Sequence, residues 1–155
     1  MESNQYNVDI NWGKTRKGMM CSPELNKENS FCIQITSPPE FPKEAEGHWS
    51  PEHLLVAALS SSLMSNFLAI AENSRLDFTD FSCRAKGKLE SVEGRLMMNE
   101  ILLEPRVVIH NEHYRHKAMR ILKKAQDACL ISHSVKSKIE MAISIEVKQL
   151  LIETY

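Results

Sequence analysis

The chain has 155 residues, 43% of them hydrophobic and 25% charged, which is one domain's worth of an ordinary globular protein and argues against intrinsic disorder. Nineteen Lys and Arg against twenty Asp and Glu leave a net charge of −1, which argues against a strongly basic nucleic-acid binder. No stretch approaches the roughly 18–20 apolar residues of a bilayer span, and the opening MESNQYNVDI lacks the basic and then apolar pattern of a secretory signal, so the expected setting is the cytoplasm, without a membrane partner.

Tyr6 to Trp12 alternates apolar and polar residues and predicts a first strand. A polar turn, Gly13 to Gly18, leads to a short strand at Met19 to Cys21, and Phe31 to Thr36 alternates again, so the start reads as a small antiparallel meander. Residues 37–50 hold three prolines and a glycine and predict a long loop, a place for function or for crossing to a partner subunit. Ser50-Pro51-Glu52 is a strong helix start, with a capping hydroxyl, proline in the first turn and an acid near the helix dipole. The helix should run over 51–72, and it is apolar nearly all round, so a sheet or a second subunit must help bury it.

Phe78 to Glu90 and Arg95 to His110 predict two strands joined at Glu93-Gly94, with Pro105 suggesting an edge strand or a bulge. Glu112 to Cys129 predicts a helix with the stripe Ala118, Ile121, Leu122, Ala125 and Cys129, and Val135 to Val147 a last strand before a short tail. The order βββ-α-ββ-α-β gives an α+β class in a single domain over 1–155.

The four cysteines, Cys21, Cys32, Cys83 and Cys129, form no C-x-x-C pair, so a zinc ribbon or thioredoxin motif is unsupported and free thiols are expected. His110, His113 and His116 form H-x-x-H-x-x-H, whose alternatives are a metal face and a solvated helix start; the expected reading is no metal and no cofactor.

Three segments together resemble the OsmC/Ohr family of thiol-dependent hydroperoxide reductases. One is Ser50-Pro51-Glu52-His53-Leu54-Leu55-Val56-Ala57-Ala58-Leu59, similar to the opening of that family's central helix. Another is Cys129-Leu130-Ile131-Ser132-His133-Ser134-Val135, similar to its C-P-x-S motif. The third is Arg16-Lys17-Gly18, similar to its R-x-G turn. The resemblance implies an OsmC-like intertwined homodimer, with the central helix against antiparallel sheet, and a peroxiredoxin-like role in the oxidative stress response. It also implies an attacking cysteine in the central helix, a resolving cysteine after the later helix, and an Arg and a Glu that activate the thiol. Carried over, Arg16 and Glu52 are the activating pair, joined as a buried bidentate bridge, and Cys129 is the resolving cysteine. The attacking position, ten residues after Glu52, holds Ser62.

A serine has no oxidation ladder, so the two-cysteine cycle cannot run through Ser62. Ten residues of helix rise about 15 Å, so Glu52 should serve position 62 from the partner subunit unless the helix is broken. Two readings of function follow. In the first, the peroxidase cycle is lost and an apolar dimer-interface pocket for a small organic or lipid-like ligand remains, with Ser62 lining it. In the second, Cys129 is the nucleophile of a one-cysteine peroxidase that reduces organic hydroperoxides with a dithiol reductant. The plain alternatives are Ser62 as a small packing residue bonded to the carbonyl one turn back, Cys129 as a buried small hydrophobe, Arg16 as a solvated loop charge, and Glu52 as a first-turn acid.

Overall fold

A computed structural model describes residues 3–25, 31–36 and 47–148. The chain divides into two compact units, 1–55 and 56–155. In the first, β1 (Asp9–Trp12), β2 (Gly18–Cys21) and β3 (Ile33–Ile35) form an antiparallel sheet in chain order. At Gly18, the first residue of β2, a Cβ would stand 3.2 Å from the Asn11 carbonyl oxygen, so a residue without one suits that close approach of the two strands. Val8, Ile10 and Trp12 do alternate, but all three are exposed. Met20 pairs with Ile33, and one step further along the two strands Cys21 and Cys32 form a disulfide with Cα atoms 4.4 Å apart. That corrects the expectation of four free thiols: antiparallel pairing sets such cross-strand neighbours within bridging distance. Most of the predicted 37–50 loop lies outside the described residues.

Helix α1 (Pro51–Asn73) is continuous and one residue longer than expected. Its start uses a reciprocal cap. Ser50 Oγ accepts from the His53 amide at 3.3 Å, while His53 Nδ1 accepts the Ser50 amide at 3.3 Å. Histidine thus fills the place that Glu or Gln has in a capping box. The helix ends in a Schellman motif: Arg75 has φ 52° and the Leu76 amide donates to the Ala71 carbonyl at 2.9 Å. By length and composition α1 could cross a membrane, which corrects the expectation that no stretch comes near that size. Its buried face, Leu59, Leu63, Phe67 and Ala71, packs instead into the core of the second unit.

That core lies between α1, α2 (Arg115–Asp127) and a four-stranded sheet. Strands β4 (Asp80–Val92) and β5 (Arg95–Ile109) form a long hairpin closed at Glu93-Gly94, with φ 50° and 77°, the two left-handed residues of a tight hairpin turn. Phe67 stacks on Phe81 at 4.9 Å and meets Phe78 edge-on at 5.2 Å. From α2 come Ala118, Ile121, Leu122 and Ala125, the predicted stripe.

The predicted last strand is two strands, β6 (Lys138–Met141) and β7 (Ser144–Val147), after a short helix α3 (Leu130–Ser134). Both pair with β5 in parallel, β6 along Glu100 to Leu103 and β7 along Arg106 to Ile109, so the sheet is mixed rather than purely antiparallel. Pro105 is therefore in a central strand without a bulge, the one irregularity of the hairpin falling between Lys88 and Leu89. The reason is local. Leu103 and Ile109 accept bonds from Ala142 and Lys148, whereas Val108 accepts from Thr79, so odd-numbered residues of β5 turn their polar groups toward β6 and β7. Pro105 is odd, and the amide hydrogen it lacks would face the break between those two strands.

Candidate functional site

Three serines follow one another on α1. Ser60 Oγ donates to the Val56 carbonyl at 3.2 Å and Ser61 Oγ to that of Ala58 at 3.1 Å, both the back-bonds expected of helical serines. Ser62 differs. Its Oγ accepts from the Cys129 thiol at 3.2 Å. The plain reading of Ser62, a hydroxyl bonded one turn back, is thus corrected: the hydroxyl of this residue is engaged across the interface between α1 and the end of α2. One turn further on, Asn66 Nδ2 donates to the Ala125 carbonyl at 3.2 Å and ties the same two helices.

Cys129 is the second of the two residues between α2 and α3, with its own amide bonded to the Gln126 carbonyl at 3.0 Å. The chain turns sharply there, so the side chain lies against the first turn of α3. Cys129 is fully buried. Burial alone pushes its thiol up, but hydrogen bonds from the Ser132 and Ser62 hydroxyls and from the Ser132 and Ile131 amides outweigh it and hold the thiol below the usual cysteine range. Donors aimed at a sulfur favour the thiolate, which is the nucleophilic form. Cys83, the other free thiol, is pushed the opposite way by burial on β4.

Of the four residues singled out in the sequence, Ser62 and Cys129 are brought together in the second unit. Arg16 and Glu52 belong to the first. Arg16 is exposed in the turn between β1 and β2. Glu52 is half-buried in the first turn of α1, and its Oε2 is buried without a hydrogen-bond partner among the described residues.

Two contributors were not singled out from the sequence. Ser132 was read only as part of a motif, and Gln126 was not noticed; its Nε2 donates to Ser132 Oγ at 3.0 Å. The available signal was that Gln126, Cys129 and Ser132 recur every three residues through a helix end, which places them on one side of the turn. His110 bonds Asp77 at 3.2 Å, and His110 and His113 both meet the Tyr114 ring edge-on.

Residues 43–144 match the family model of OsmC-like proteins. The chain is 23% identical to the protein YmaD of Bacillus subtilis (strain 168) over 151 residues, 96% of this chain and 97% of that protein. Its fold is similar to that of an OsmC-like protein from Vibrio cholerae, with a TM-score of 0.80 at 22% identity, covering 91% of this chain and 99% of the other. It is also similar to the organic hydroperoxide resistance protein OsmC of Legionella pneumophila, with a TM-score of 0.69 at 17% identity, covering 95% and 100%.

Proposed function

The chain belongs to the OsmC-like family, a family linked to stress response and hydroperoxide resistance, and from that premise we propose that it is a one-cysteine thiol peroxidase for organic hydroperoxides in which Cys129 is the attacking sulfur. The carrying observation is the fully buried Cys129 sulfur 3.2 Å from the Ser62 hydroxyl, in surroundings that hold the thiol below the ordinary range. The Cys129 thiolate attacks one peroxide oxygen and the O–O bond breaks. The leaving alkoxide takes a proton and departs as the alcohol, and the sulfur becomes a sulfenic acid. Ser62 has no sulfur with which to close a disulfide. One thiol of an external dithiol therefore condenses with the sulfenic acid and releases water. The second thiol then exchanges and restores Cys129, leaving the reductant oxidised.

In this reading Ser62 is the hydrogen-bond partner of the sulfur. As a thiol, Cys129 donates to Ser62 Oγ; as a thiolate, it accepts from the same hydroxyl. Arg16 and Glu52 hold the peroxide from the partner subunit of a homodimer. An unbroken α1 supports that arrangement, because it holds Glu52 about 15 Å along the axis from Ser62. The exposed Val8, Ile10 and Trp12, and Met64 and Leu68 of α1, supply apolar surface for such a dimer. The site of action is the cytoplasm, where dithiols are available.

The full burial of Cys129 favours a second reading, a non-catalytic member that holds a small apolar ligand at the dimer interface. One assay separates the two: consumption of cumene hydroperoxide with a dithiol by wild type, Cys129→Ser and Ser62→Ala. The peroxidase reading expects turnover in wild type, none in Cys129→Ser, and roughly 10-fold less kcat/KM in Ser62→Ala, the loss of one hydrogen bond to a charged group. An inert wild type that binds an apolar fluorescent probe saturably supports the second reading and removes the first.

A further inference from the structure

We propose that Cys21–Cys32 is a site of reversible thiol–disulfide exchange, and that its opening by an external dithiol releases β3 together with the segment that leads into α1. The bridge closes the end of the β2–β3 ladder: Cys21 is the last residue of β2, and Cys32 stands just before the first residue of β3. Both cysteines are half-buried, and Phe31 beside Cys32 is exposed. A bridge at such a strand end is open to an attacking thiolate, and exposed disulfides are the labile ones.

Little else holds β3. It has three residues and pairs with β2 at Gly18–Ile35, Met19–Gln34 and Met20–Ile33. Among the described residues of 1–55 no apolar side chain is fully buried; the buried residues there are Thr36 and Ser50. A three-stranded sheet needs an apolar face for independent stability, and units that lack a core are the ones that need a covalent staple. The two cysteines are 11 residues apart. In the chain-entropy treatment, closing a loop of that size favours the paired arrangement roughly 100-fold.

The other edge of β3 carries the approach to α1. Ile35 bridges Trp49 in parallel, and the Thr36 amide donates to the Trp49 carbonyl at 2.9 Å. The Gln34 and His48 side chains meet at 2.7 Å. Trp49 leads directly into Ser50, whose hydroxyl caps α1, and Glu52 stands in the first turn. The bridge and these contacts share one short strand, so the covalent state of Cys21 and Cys32 sets how firmly residues 48–52 are held. Opening begins when one thiolate of the dithiol attacks a sulfur of the bridge. The S–S bond breaks, and the other cysteine leaves as a thiolate and takes a proton. The second thiol of the reductant then displaces the first cysteine, so the bridge becomes two thiols and the dithiol becomes a disulfide. Oxidised glutathione runs the exchange backwards and leaves as two glutathione thiols.

The test is hydrogen–deuterium exchange of the full-length protein read by mass spectrometry, with differential alkylation of the same samples reporting Cys21 and Cys32. Dithiothreitol under native conditions should make both cysteines alkylatable. Exchange in 31–36 should then speed roughly 10- to 100-fold, and exchange in 47–54 should rise by a smaller factor, while α2 keeps its protection. Oxidised glutathione should restore the slow rates. Cys21→Ser combined with Cys32→Ser should exchange like reduced wild type and ignore the reductant; where that variant also loses protection in α2 it is misfolded, and reduced wild type carries the comparison. Four results overturn the proposal: a bridge that opens only after denaturation, cysteines that stay free under oxidised glutathione, rates in 31–36 or 47–54 that ignore the opening, and a reduction that strips protection from α2 as well. No peroxide enters the experiment, so an absence of turnover counts against the peroxidase reading and leaves this result standing.

Discussion

Replacing Ser62 with cysteine puts a second thiol against Cys129. The present Oγ–Sγ distance is 3.2 Å, and a disulfide needs about 2.0 Å, so a modest side-chain rotation closes the gap. The two positions are 67 residues apart. In the chain-entropy treatment a loop of that size restricts the unfolded chain by about 15 cal/mol/K, or about 4.4 kcal/mol at 25 °C. For a protein of this length that corresponds to a rise in Tm of roughly 9–18 °C, as an upper bound. The assay is thermal unfolding of oxidised Ser62→Cys and of oxidised wild type, beside thiol counting under denaturing conditions. The expected outcome is one free thiol, that of Cys83, in the oxidised variant against two, Cys83 and Cys129, in oxidised wild type, and a Tm above that of oxidised wild type. A folded variant that retains both thiols after oxidation would refute the pairing of the two helices at this point. It would also remove the geometric basis for giving Ser62 any role in the chemistry of Cys129.

Two further outcomes are expected. Because the Cys129 thiol is held below its ordinary range near 9, its ionisation stabilises the fold; that contribution is complete above the unfolded value and is lost as pH falls through the folded one. The stability of wild type relative to Cys129→Ser, read from urea midpoints, should therefore grow from neutral pH toward pH ~9, and a constant difference would contradict the direction of the shift. At Gly87 a Cβ would stand 2.5 Å from Met98 Sδ and 2.7 Å from Val56 Cγ2. Gly87→Ala should cost about 1–3 kcal/mol by overpacking, and Met98→Ala should recover part of it; equal denaturant midpoints for wild type and Gly87→Ala would contradict this.

The hairpin at Glu93-Gly94, the start of α1 at Ser50-Pro51 and the stripe on α2 were legible because each is written in adjacent residues. A two-residue turn, a cap and a 3.6-residue period need no knowledge of the rest of the chain. The class and the family resemblance were legible for the same reason. The contact between Ser62 and Cys129 was not, because nothing local in Ser60-Ser61-Ser62 tells which hydroxyl leaves its own helix. Only the packing of α1 against α2 distinguishes them. The Cys21–Cys32 disulfide was hidden by register: two cysteines in separate strands are neighbours only once Met20 is known to face Ile33. The last strand was read as one because its alternation runs unbroken through Ala142-Ile143, although its pairing does not.

Pro105 gives the second sheet a fixed origin. Its ring nitrogen faces the break between β6 and β7, which pair with residues on either side of it. A shift of either strand by two residues would preserve the apolar alternation and would cost little by pattern alone. Such a shift would bring a carbonyl opposite a nitrogen that has no hydrogen to give. The proline thus indexes both parallel strands against β5, and through β6 it limits how far the segment carrying α3 and Cys129 can slide along the sheet.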